Sequence, residues 1–127
     1  MIQRRALALV SEDTELGRWA LTRALEAEGF DVQAVATWIE ASAWLARAKF
    51  SLALVAVSSV PGNAADIAAY VREFHPHTHL VLLADQDRVD ELRLACGPVQ
   101  DLLTKPLNLE AVALVAQARA AAAPGPA

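Results

Sequence analysis

Five short apolar runs mark the chain, and between them lie stretches where apolar residues recur every three or four positions. The first run, "RALALV" (Arg5–Val10), precedes Asp13–Glu28, where Leu16, Trp19, Ala20, Arg23, Ala24 and Ala27 fall at helical spacing. Asp13 suits the N-cap of that helix, and Gly29 suits the residue just past its end. "FDVQAVA" (Phe30–Ala36) alternates as a strand does, and Thr37 caps a helix expected to reach about Ala48. "LALVAV" (Leu52–Val57) is unbroken apolar sequence closed by Ser58, Ser59, Val60 and a Pro61-Gly62 turn, which predicts a strand buried on both faces. A helix over about Ala64–Phe74, a strand "HLVLLA" (His79–Ala84) and a short helix Gln86–Cys96 follow. A strand "VQDLLT" (Val99–Thr104) and a helix Leu107–Ala122 end the series.

Strands alternating with helices imply right-handed βαβ units and a parallel sheet. Five such units predict an α/β, flavodoxin-like doubly wound sheet in the order 2-1-3-4-5, with helices on both faces. One domain is expected over residues 1–120. The stretch 121–127, "AAAPGPA", reads as a flexible tail or the start of a linker to an output domain.

Composition narrows the function. A net charge of −4 argues against nucleic-acid binding by this domain, because phosphate contacts need clustered Lys and Arg. No apolar stretch approaches the roughly 20 residues of a membrane span, and the N-terminus lacks a signal-peptide pattern. Cys96 has no second cysteine to bridge to, which fits a reducing cytoplasm. Cytoplasmic localisation is therefore expected.

In an open parallel sheet, chemistry sits beyond the carboxyl ends of the strands. Here those positions are Ser11-Glu12-Asp13, Val57, Ala84 and Lys105-Pro106. Acidic residues after the first strand, Pro-Gly four residues beyond the third and Lys-Pro after the fifth together resemble the CheY-like receiver domain of bacterial response regulators. Gly29-Phe30 and Gly97 match as well, and the resemblance spans about Arg4 to Gln117.

In that family two acidic residues hold a magnesium ion and an aspartate ending the third strand accepts a phosphoryl group. A Ser or Thr after the fourth strand and the Lys bind the phosphoryl oxygens, while an aromatic residue in the fifth strand acts as a switch. Carried over, the phosphorylated position is Val57, the hydroxyl position Ala84 and the switch position Leu102; only Lys105 is kept. The acidic pair reads as Glu12 and Asp13 counting back from Gly29, or as Ser11 and Glu12 by the pattern that follows; the first needs no extra residue in the helix. The resemblance thus implies a degenerate pseudo-receiver, lacking the phospho-acceptor Asp. It implies a phosphorylation-independent signalling module, not an enzyme, acting by protein contact in a bacterial two-component or transcription-regulatory pathway. The rival readings are a receiver phosphorylated elsewhere and a small-molecule sensor using the vacated mouth.

No cofactor is expected. Glu12 and Asp13 could take a divalent cation, but an ion pair from one of them to Lys105 is the favoured arrangement. Ser58 and Ser59 read as loop serines without a base nearby in sequence. His75, His77 and His79 could converge on a metal, yet the Pro76 context reads as a surface loop remote from the mouth. Trp19, Trp38 and Trp44 read as packing residues. In the last helix, Leu109, Val112, Ala113 and Ala116 form the stripe expected on the sheet. Ala111, Leu114, Val115 and Ala118 form a second apolar strip, so Leu114, Val115 and Ala118 are the candidate interface for a homodimer or a protein partner, with Arg93, Arg119, Asp90 and Glu91 at its rim.

Overall fold

The computed structural model describes residues 5–96 and 101–122. Five parallel strands, β1 (Leu7–Ser11), β2 (Asp31–Val35), β3 (Leu52–Ala56), β4 (His79–Asp85) and β5 (Asp101–Lys105), form one sheet in the order β2-β1-β3-β4-β5. The helices are α1 (Glu15–Ala27), α2 (Trp38–Leu45), α3 (Ala64–Phe74), α4 (Val89–Cys96) and α5 (Leu109–Ala122). This is the doubly wound arrangement expected from the alternation. Gly97, Val99, Gln100 and the chain beyond Ala122 lie outside the described residues. The first two residues of the expected tail, Ala121 and Ala122, belong to α5.

All five residues of β3 are buried, and their side chains alternate between two cores. Leu52, Leu54 and Ala56 join Leu21 and Leu25 of α1 and Val112 and Ala116 of α5. Ala53 and Val55 join Ala41 and Leu45 of α2, Ile67 and Val71 of α3, and Leu92 of α4. A strand in the middle of a parallel sheet must be covered on both sides, and the period-2 alternation divides its apolar residues between the two layers.

Several local expectations are corrected. Thr14, not Asp13, caps α1: its Oγ1 accepts from the Gly17 N–H at 3.1 Å. Gly29 does end the helix, at φ +92°, the left-handed region that costs glycine least. α1 buries Leu21 and Leu25, whereas Leu16 and Trp19 are 75% and 60% exposed. The stripe Leu16-Trp19-Arg23 is therefore the outer face, where Arg23 lies over the Trp19 ring at 5.8 Å. Spacing alone could not orient this helix, because apolar residues occupy two of its sides. Trp38 and Trp44 pack against the α2–α3 core as expected. α2 stops at Leu45, three residues early, and Gln86–Arg88 forms a 3₁₀ turn before α4. β3 also ends one residue early, so Val57 opens a 3₁₀ turn, Val57–Ser59.

α5 begins two residues late, after Asn108, whose side chain accepts from the Glu110 N–H at 2.9 Å. Leu109 is half exposed and does not join the sheet stripe. Val115 packs inward with the α1–α5 core and leaves the outer strip, where Leu114 and Ala118 remain exposed. Arg119 is partly buried.

Truncation separates the two sides of α1. Leu25→Ala should lower unfolding free energy by about 2–5 kcal/mol, while Leu16→Ala should stay within about 0.5 kcal/mol of wild type. Urea unfolding of both variants measures the difference, and equal losses would contradict the orientation of the helix.

Candidate functional site

The carboxyl ends of the strands bring the expected mouth residues together, but divide them into an apolar half and a polar half. Val57, Ala84 and Leu102 belong to or pack on the same hydrophobic cluster, which continues down into α3 and α4. Val57 and Ala84 are 8% and 3% exposed. The β4–β5 register sets Leu82 beside Leu102 and Ala84 beside Thr104, and Thr104 faces out. Val57, Ala84 and Leu102 are thus a continuation of the core.

The polar half is built from Ser11, Glu12, Asp13, Ser58, Ser59 and Lys105. Lys105 Nζ donates to both oxygens of Glu12, at 3.0 Å to Oε1 and 2.9 Å to Oε2. The Glu12 side chain is 1% exposed and that of Lys105 22%. The ion pair expected across the mouth is therefore made by Glu12. Burial of the carboxylate is tolerable because a partner neutralises it; a lone buried charge would cost several kcal/mol per ion.

Asp13 is exposed and takes a different partner. The Ser58 hydroxyl donates to Asp13 Oδ1 at 2.6 Å, and this bond is the chief reason the Asp13 carboxyl sits below its ordinary pKa. Ser59 Oγ donates to the Ala56 carbonyl at 2.7 Å. Its single proton is then committed, so the 2.8 Å contact with Ser11 has Ser11 as donor. The two serines that read as plain loop residues instead tie the end of β3 to the end of β1. Their partners at the end of β1 lie more than forty positions away in the chain, beyond the reach of sequence proximity.

Two further residues shape the mouth without having been singled out. Arg18 Nη1 donates to the carbonyl oxygens of Glu12 and Asp13, at 2.8 and 3.2 Å, and so holds the β1–α1 loop. Gly17 gives the Glu12 side chain room. A Cβ there would lie 2.9 Å from Glu12 Cγ and Oε2, and 2.6 Å from Thr14 Oγ1. The only sequence signal is a glycine inside a helical pattern, tolerated there at a cost of about 1 kcal/mol relative to Ala.

The three histidines do not converge. His75 Nε2 meets the Tyr70 hydroxyl at 3.2 Å, while His79 Nε2 meets Asp101 Oδ2 at 2.6 Å. Among the described residues no group of three or more His, Cys, Asp or Glu side chains is placed to hold a metal. No helix there is long and apolar enough to cross a membrane.

No protein-family model and no curated protein matches the sequence. Solved structures do match. The chemotaxis response regulator CheY4 of Vibrio cholerae superposes with a TM-score of 0.78 at 22% identity, covering 91% of this chain and 99% of that one. A response regulator from Thermotoga maritima gives 0.76 at 23% identity, over 93% and 99% of the two chains. The beryllofluoride-activated NtrC4 receiver domain dimer gives 0.80 at 21% identity, over 91% and 97%. At this identity the likeness establishes the CheY-like fold.

Gly17→Ala tests the coupling between the helix and the mouth. Helix propensity alone favours Ala by about 0.5–1 kcal/mol. The added methyl should instead displace the Thr14 cap, worth about 1 kcal/mol, or the Glu12 carboxylate, giving a net loss. Denaturant unfolding of wild type and Gly17→Ala is the measurement, and a stabilised Gly17→Ala would contradict the contact.

Proposed function

We propose that this chain is a receiver-like signalling module of a bacterial two-component or transcription-regulatory pathway. It acts by protein contact in the cytoplasm and catalyses no phosphotransfer of its own. The supporting observation is that Val57 and Ala84 lie inside the hydrophobic core. Val57 carries no lone pair with which to attack phosphorus. Ala84 carries no hydroxyl with which to sense a phosphoryl group. Lys105, which would bind that group, is already held by Glu12.

One observation favours a second reading. The Ser58 hydroxyl rests on the Asp13 carboxylate, an oxygen nucleophile beside a base. A phosphoryl group taken by Ser58 would make this an unconventional phospho-acceptor. Incubation with acetyl phosphate and Mg²⁺, followed by mass spectrometry, distinguishes the two. The module should stay at its unmodified mass; a gain of about 80 Da, one phosphoryl group, would overturn the main reading, and peptide mapping would place it on Ser58 or elsewhere.

The partner surface we infer is the outer side of α5, where Leu114 is 67% exposed and Ala118 is also exposed, with the 87%-exposed Leu94 on α4 as a further apolar side chain. Val115 contributes to the core instead. The occupant is a second copy of this chain or a protein partner, including an output domain; neither nucleic acid nor membrane is engaged. Sedimentation of wild type against Leu114→Glu should show an associated species that the charge dissociates. A wild type and variant that both sediment as monomers and bind the same partners would remove this surface.

A further inference from the structure

The receiver likeness implies a magnesium ion on the acidic pair after β1, and the donors present do not fit one. Mg²⁺ demands near-octahedral oxygen ligands and is held through one or two carboxylates together with water and phosphate oxygens. Both oxygens of Glu12 are engaged by the Lys105 ammonium, and the carboxylate is buried away from water. Glu12 Oε1 also accepts from the Thr14 N–H at 3.4 Å. Asp13 Oδ1 accepts from Ser58, and Val57 supplies no oxygen. The carbonyl oxygens of Glu12 and Asp13, a further class of ligand for a hard cation, are capped by Arg18.

Within the hydrogen-bonded group the charges balance without an ion, and Asp85, which ends β4 beside Lys105, lies exposed outside it. Glu12 and Asp13 bring two negative charges to the mouth, and Lys105 and Arg18 bring two positive ones. A divalent cation would have to displace an ammonium and then remain beside it. We propose that Lys105 is the tethered cation of this mouth, doing permanently and without metal what a divalent ion does reversibly. Gly17 is a positioning residue for it, since the missing Cβ is what lets the Glu12 carboxylate lie against α1 and face the ammonium. The strand ends are consequently held in one arrangement whatever the metal concentration.

This inference rests on reading the mouth as one without phosphotransfer, and the two fail separately. Metal binding with no gain of phosphoryl mass would end the tethered cation alone. Phosphoryl transfer would end the functional reading first.

Thermal unfolding of the full chain in EDTA, and then in millimolar Mg²⁺ or Mn²⁺, decides it. Wild type should give the same Tm in all three. Lys105→Met and Lys105→Gln leave the buried Glu12 carboxylate without its ammonium, next to Asp13, and both should gain a Tm rise that grows with metal concentration, roughly 4–6 °C at about ten times Kd. Lys105→Met/Glu12→Gln should lose that rise. A metal-dependent rise of the wild-type Tm comparable to that of the variants, or Mn²⁺ broadening of its Glu12 and Asp13 amide signals, overturns the proposal whatever the variants do. Folded single variants that ignore the metal overturn it as well.

Discussion

Burial of β3 on both faces is the constraint from which the rest follows. Five consecutive residues without a polar side chain, Leu52–Ala56, cannot face water on either side. They require a helical layer above and below, and parallel neighbours whose connections can supply those helices. α1 and α5 cover one face, α2, α3 and α4 the other. Once the strands are parallel, all their carboxyl ends emerge on one side of the sheet. Residues as far apart in sequence as Glu12 and Lys105 then meet there. The site is a consequence of how the core is covered.

That dependence explains what the sequence could and could not say. The order of elements was legible because each buried strand is a short apolar run bounded by polar or turn residues, and the sheet order followed from it. The positions at the mouth were legible too, since they lie at or just beyond the carboxyl end of each strand. Which face of α1 turns inward was not, because Leu16 and Trp19 compete with Leu21 and Leu25 for the same role and only tertiary packing chooses. The boundaries slipped where a local bond decided them. Thr14 takes the cap through its bond from Gly17, while Asp13 accepts from Ser58 instead. The roles of Ser58, Ser59 and Arg18 stayed hidden, since each acts on a partner brought close only by the sheet.

The division of the mouth into two halves also separates two kinds of energy. On the side of Val57, Ala84 and Leu102, stability comes from removing apolar surface from water, and it is insensitive to ions. On the side of Glu12 and Lys105 it comes from a charge pair whose members are costly apart: stranding one member of a fully buried pair costs about 3–5 kcal/mol. Lys105 keeps some exposure, so its pair lies below that limit. An apolar floor beneath a charge pair lowers the local dielectric and strengthens the pair. Exchanging a hydroxyl or carboxylate for Val57 or Ala84 would therefore weaken the neighbouring ion pair as well as wetting the core.

Chain length at position 12 completes the argument. β1 and β5 are separated by β3 and β4, three spacings of roughly 4.8 Å. To meet above those strands, the acid and the base must both be long, and Glu12 reaches one methylene further than an aspartate would. The longer side chain needs space beside the first turn of α1, and Gly17 leaves it. Three residues, at 12, 17 and 105, are thus coupled by geometry: the acid needs the glycine for room and the lysine for neutrality. Val57 and Ala84, at the ends of the two strands between, put no charge beside the pair from the core, so the apolar residues and the ion pair are two parts of one solution.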